Sequence, residues 1–141
     1  TPDALSTNKM PILILFSGVN LLNIAWLFSW HNNRIFLSTV VMIFLLISLL
    51  TILVLLSRSD MFAFATFSIY AGWISVATIA NIAILITKLN LSFFMNYETI
   101  WFALIIIVSL IIGGYMLIKE KNVYYASVFA WAYIGIIAKF I

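Results

Sequence analysis

Amide and indole side chains are set into hydrocarbon twice in this sequence, and they are the groups with which it could do chemistry. One run is Asn23-Ile24-Ala25-Trp26-Leu27-Phe28-Ser29-Trp30. The other extends from Tyr70 through Gly72, Trp73, Ser75, Ala77 and Thr78 to Asn81. Neither run holds an acid, an imidazole or a thiol. These residue types offer hydrogen bonds and flat aromatic faces, without proton transfer or nucleophilic attack. Lipid gives such groups no partner, so they must find one inside the protein or in a bound ligand.

Their spacing is helical. Asn23, Trp26 and Trp30 step by three and four residues, which places them on one side of a helix. Tyr70, Trp73, Ala77 and Asn81 step by three, four and four and share a second face. Ala77 is small enough to leave room beside Trp73, and Gly72 and Ala80 allow a close helix approach. Two readings fit Asn23 and Trp26 equally: the wall of a pocket, or polar glue between helices. Packing of the second helix against the first, with Asn81 bonded to Asn23 or to a backbone carbonyl, explains the second face without a ligand. Trp30, next to His31, is expected at the membrane interface.

Other chemistry is poorly supplied. The single histidine, His31, has no carboxylate near it in sequence, which makes neither a metal site nor an acid–base pair. Asp60, Glu98 and Glu120 fall at helix ends. There is no cysteine, no glycine-rich phosphate loop and no nucleophile with a base. The sequence therefore reads as a non-enzyme. Lys139 is expected to snorkel to the interface from the last helix rather than hold a Schiff base. The stretches Leu110…Tyr115…Lys119 and Val128…Tyr133…Lys139 fit a loose cholesterol pattern that chance also supplies. Gly113-Gly114 reads as a packing notch or a kink.

The elements that must position these residues are membrane helices. Of 141 residues, 66% are hydrophobic and 8% charged, against about a quarter charged in soluble domains. Apolar runs long enough to span a bilayer recur throughout. The reading is an all-α, polytopic helical bundle forming one domain over 1–141, with helices at about 11–30, 34–56, 62–88, 98–118 and 123–141. Pro11 is expected in a first helical turn, with Ser6, Thr7 and Asn8 as capping oxygens. Short loops make successive helices antiparallel neighbours. The net charge of +3 is dispersed, which excludes nucleic acid and suits anchoring to lipid headgroups. Lys9, Arg58, Lys119 and Lys121 on one side against Arg34, Lys88 and Lys139 on the other give a small lean toward a cytoplasmic Thr1.

The two polar runs resemble motifs of the TspO/MBR family, the tryptophan-rich sensory proteins and translocator proteins. The third helix of that family carries an Asn followed three residues on by a Trp, matched by Asn23 and Trp26. Its last helix carries the Tyr–Trp–Ala–Asn series, matched by Tyr70, Trp73, Ala77 and Asn81, with one apolar helix between. Residues 11–90 thus resemble the family's helices three to five. The resemblance implies a pocket for a flat hydrophobic ligand, a porphyrin or other tetrapyrrole or a sterol-like molecule, with a sensory or transport role. It implies that Asn23, Trp26, Tyr70, Trp73 and Ala77 line the pocket and that Asn81 supports it. Trp26 and Trp73 would stack on the ligand, and Asn23 and Tyr70 would offer polar contacts.

The departures are definite. The family's first two helices and their lid loop have no counterpart in this chain, and Ile69 stands where a Pro usually precedes the Tyr. No aromatic residue follows Asn81 at the place of the family's cholesterol motif, and the last two helices are expected to be additions. The comparison suits a longer bacterial subgroup of about seven helices in an inner membrane, two of them before Thr1. The expected partners are membrane lipids, a hydrophobic small molecule, and a second copy or a larger membrane complex. The alternative is a structural or accessory subunit of such a complex with no ligand of its own. A small transporter is less well supported, since no charge lies within a span.

Overall fold

The computed structural model describes residues 2–56, 60–89 and 96–141, the first seven of them by backbone alone. Arg58, counted above for topology, and most of the loop from Leu89 to Tyr97 lie outside the described residues. Five helices form among the described residues: α1 (Pro2–His31), α2 (Ile35–Leu55), α3 (Met61–Lys88), α4 (Glu98–Ile118) and α5 (Val123–Phe140). All five are long and apolar enough to cross a bilayer, and no strand occurs among the described residues. The protein is an integral, multi-pass membrane protein.

The helix limits agree with those read from the sequence except at the start. α1 begins at Pro2, so Ser6, Thr7 and Asn8 lie within it and Pro11 is internal. Pro2 takes the first-turn place, where a missing N–H costs nothing. Pro11 deprives the Thr7 carbonyl of its helical donor. Thr7 precedes the apolar span, which starts at Lys9, so water can serve that carbonyl.

α1 ends in a Schellman turn. Asn33 adopts a left-handed conformation at φ 59°, its N–H reaches the Trp30 carbonyl, and the Arg34 N–H reaches Ser29. Asparagine tolerates that conformation better than most residues, which is why the chain reverses there.

α2 is the spine of the first half. Ser38, Met42, Leu45, Leu49 and Ile52 are all buried and step by four, three, four and three. That period draws one seam along the helix. α1 packs along one side of α2 and α3 along the other; no Cα of α1 comes within 8 Å of a Cα of α3. The expected packing of the third helix directly on the first is therefore replaced by packing through α2. Phe16 and Phe67 bridge them as a ring pair, edge to face, with centroids 5.7 Å apart.

Beyond α3 the order departs from sequence. α3 packs mainly on α5, which in turn packs on α4, giving the lateral order α1–α2–α3–α5–α4. Ser68, Gly72 and Ser75 form the α3 side of that seam. A Cβ on Gly72 would stand 2.9 Å from Val128 Cγ2 and 3.1 Å from the Tyr125 carbonyl oxygen. The close approach expected of Gly72 is real, but toward α5. Ala80 is exposed and makes no such approach. Gly113 faces Phe129 at ordinary contact distance, and α4 runs unbroken through Gly113-Gly114, as a notch and not a kink.

Lipid tails are as apolar as the side chains, so helices here associate by fit and by polar pairing rather than by a hydrophobic drive. The seams carry such pairs. Asn81 Nδ2 donates to Ser38 Oγ at 3.1 Å across α2 and α3. Asn122 Nδ2 donates to Ser68 Oγ at 2.9 Å, and Ser75 pairs with Tyr125, across α3 and α5. Ser109 pairs with Tyr133 across α4 and α5. Hydroxyls without such a partner bond back to their own helix, as Ser48 does to Phe44 and Thr51 to Ile47. A double-mutant cycle on Asn81→Ala and Ser38→Ala, read by detergent denaturation, is expected to give a coupling of about 0.6 kcal/mol. Additive effects would show that the bond contributes nothing.

Candidate functional site

The six residues singled out in the sequence lie on α1 and α3, and those helices run parallel with α2 between them. Two contacts fix their relative height. Phe16 meets Phe67 near one end, and Lys88 donates to the Asn33 carbonyl and side-chain oxygens at the other. Counting 1.5 Å per residue from these ties sets Asn23 and Trp26 at roughly the height of residues 74–81 of α3. Ala77 and Asn81 are thus level with them. By the same count Trp73 lies about one turn lower and Tyr70 about two, on either side of the height of Val19.

Burial separates the six further. Asn23, Trp26, Tyr70 and Ala77 are half-buried, and Trp26, Tyr70 and Ala77 pack against the core made by Val19, Met42, Leu45 and Ala71. Asn81 is buried, and its amide is turned to Ser38 of α2 rather than to Asn23 or a carbonyl. The reason is lateral: α2 is the neighbour that α3 meets on that side. Trp73 is 47% exposed on the bilayer side. At about 100° per residue the Tyr70–Trp73–Ala77–Asn81 face points opposite to Ser68, Gly72 and Ser75. The motif face and the α5 seam therefore use the two sides of one helix.

One polar atom stands out. The Trp26 indole N–H is buried and has no hydrogen-bond partner, the one such side-chain atom among the described residues. A buried donor left unpaired costs about 1–3 kcal/mol, so its presence calls for a reason. The Trp26 ring stacks on Trp30, with centroids 6.4 Å apart and planes at 29°. Asn23, one turn below, makes no hydrogen bond through its side chain among the described residues, and its amide stays accessible.

Toward the α1–α2 turn the space between α1 and α3 opens into a recess of about 680 Å³. Trp30, Ile35, Ala83 and Ile84 form its apolar side, and His31, Asn33, Thr87 and Lys88 its polar rim. None of the six sequence-derived residues lines it; Trp30 connects it to Trp26 by stacking. From the sequence Trp30 is expected at the interface, and Lys88 is one of the charges flanking the spans. The signal available was the pair of helix ends, Trp30-His31 and Thr87-Lys88, each carrying an apolar stem and a polar tip. His31 closes α1 as an exposed last residue, and no group of metal ligands occurs among the described residues.

Compared with curated proteins and with solved structures, the chain gives no significant match. A family model does match, that of the TSPO-like protein, over residues 5–140. That stretch takes in α4 and α5, so those helices lie within the family's own span and are not additions to it. Since the match covers nearly the whole bundle, this membrane protein belongs to the TSPO-like protein family.

Proposed function

We propose that the seam between α1 and α3, floored by α2, binds a flat apolar ligand that carries a hydrogen-bond acceptor. The supporting observation is the Trp26 indole N–H, buried without a partner beside the accessible amide of Asn23. A ligand carbonyl or carboxylate that accepts from it removes the cost of the unpaired donor. In this reading Trp26 supplies the stacking face, Asn23 a second polar contact, and Ala77 the clearance on the facing helix. Tyr70 borders the lower end and Asn81 holds α3 to α2. Trp73 would contact the part of a large ligand that reaches the bilayer side. A tetrapyrrole such as a porphyrin has the required shape and acceptors; so, less fully, has a sterol. The protein would act by binding, in sensing or transport, without chemical turnover, and a bacterial inner membrane suits it.

The test combines two measurements. Protoporphyrin IX is titrated against tryptophan fluorescence, and thermal stability is followed without ligand. Trp26→Phe is expected to weaken quenching affinity about fivefold, the worth of one hydrogen bond. The same change is expected to leave the unliganded protein as stable or more so, because it removes a buried unpaired donor. Ala77→Leu is expected to block the seam and abolish saturable quenching. Unchanged affinity in both variants would sink the assignment. The alternative of an accessory subunit predicts no saturable quenching in the parent protein and co-purification with a stable larger assembly.

A further inference from the structure

We infer that the recess between the ends of α1 and α3 is a binding site for one anionic membrane lipid, held by its phosphate. Lys88 supplies the charge at the rim. Its ammonium has three donors, and two are taken by the Asn33 carbonyl and side-chain oxygens. Both acceptors are neutral, so the positive charge is positioned but not cancelled. No lining residue is a carboxylate, and His31 adds an imidazole on the opposite rim. Residues 90–96, which follow α3, contain no acid either. A third ammonium donor and an unneutralised cation are what a phosphate monoanion requires.

The apolar half of the recess decides what carries the phosphate. Ile35, Ala83 and Ile84 lie below the rim, with the Trp30 ring beside them. A free inorganic anion would gain nothing from those side chains. The first methylenes of an acyl chain would be covered by them. Position agrees: His31 and Lys88 end their spans and Ile35 begins its own, so the rim lies where hydrocarbon gives way to headgroups. Trp at that depth is favoured because its ring is apolar and its edge polar. The Schellman turn is what holds the site. It fixes Asn33 in the left-handed conformation, and Asn33 in turn fixes the Lys88 ammonium over the opening. This site is separate from the seam at Trp26, and either can fail without the other.

Native mass spectrometry of the detergent-released protein, after incubation with equimolar phosphatidylglycerol and phosphatidylcholine, tests it. Both lipids carry a phosphate, but only the first is a net anion. The parent protein is expected to retain phosphatidylglycerol about fivefold over phosphatidylcholine, the factor that one lysine charge contributes near an anionic surface. Lys88→Met is expected to remove the preference and Lys88→Arg to keep it. Ile84→Trp, which fills the recess and leaves the charge, is expected to reduce retention of both lipids. Equal retention by the parent protein, or a preference that survives Lys88→Met, would overturn the site. Full retention in Ile84→Trp would place the lipid elsewhere and overturn it too. Displacement of the lipid by millimolar inorganic phosphate would show that the headgroup alone is recognised and would overturn the lipid assignment.

Discussion

Gly72→Leu is expected to separate α5 from α3 and unfold the second half of the bundle. The physical reason is that the space for a side chain does not exist. A Cβ alone would lie 2.9 Å from Val128 Cγ2, 3.0 Å from Val128 Cβ and 3.1 Å from the Tyr125 carbonyl oxygen. Val128 is stiff because it branches at Cβ, and the carbonyl belongs to the α5 backbone, so neither can rotate away. Gly72→Ala forces the helices apart and costs about 1–3 kcal/mol, the usual range for overpacking. Leucine carries three further carbons into the same contact. With the seam opened, the Ser68–Asn122 and Ser75–Tyr125 pairs are lost together. Titration with sodium dodecyl sulfate, followed by circular dichroism and tryptophan emission, reads the effect as a lowered midpoint. Gly114→Leu is the control, because nothing lies within 4 Å of that position. Equal midpoints for Gly72→Leu and Gly114→Leu would show that the α3–α5 contact is not as close as described.

The second large effect is expected at Asn122. Its side chain is 2% exposed and does two things at once. The Oδ1 atom accepts from the Tyr125 N–H at 3.1 Å, capping α5, and the Nδ2 group donates to Ser68 on α3 at 2.9 Å. Loss of an N-cap costs about 1 kcal/mol. An interhelical hydrogen bond in a membrane protein averages about 0.6 kcal/mol. Asn122→Ala is therefore expected to lower stability by about 1.5–2 kcal/mol, measured in the same denaturation. Asn122→Ser keeps a capping oxygen and should recover the cap's share. Ser68→Ala should cost only the share of the interhelical bond. If Ser68→Ala costs as much as Asn122→Ala, the cap contributes nothing.

Both effects lie on a seam that could be foreseen only in part. The existence, number and limits of the helices follow from runs of apolar residues too long to be anything else in a bilayer. The exception was α1, where Pro11 suggested a start. A proline also fits inside a helix when the carbonyl it orphans is at the membrane edge, as that of Thr7 is. Lateral order was less legible. Short loops tie neighbours, which explains α1–α2, α2–α3 and α4–α5. The α3–α5 contact depends on a face, and Ser68, Gly72 and Ser75 marked it by small side chains at helical spacing. In the sequence that face competed with the louder Tyr70–Trp73–Ala77–Asn81 series on the other side. In sequence the series forms one unit, but its members meet different surroundings. Asn81 belongs to the α2 seam, Trp73 to the bilayer side, and Tyr70 and Ala77 to the space facing α1. Pattern alone fixes a common face but not which neighbour each height of that face will meet. The Lys88–Asn33 contact was not legible at all, because it needs the left-handed turn at Asn33 and the parallel run of two helices separated by a third.

The lateral order α1–α2–α3–α5–α4 also sets a timetable for synthesis. A chain inserted from its N-terminal end meets its partners in the order in which they leave the ribosome as far as α3. From there the order breaks, because α4 emerges next while the face of α3 that carries Gly72 fits α5. Ser68 and its neighbours must therefore wait in lipid, unmatched, for the length of one whole helix and its loop. During that interval the small-residue face is open to any other helix in the membrane, and the serine hydroxyls can be satisfied only by their own backbone, as Ser75 already is by Ala71. Assembly of this bundle is most exposed to error in that pause, and the tight, polar-pinned closure of α5 on α3 is what ends it.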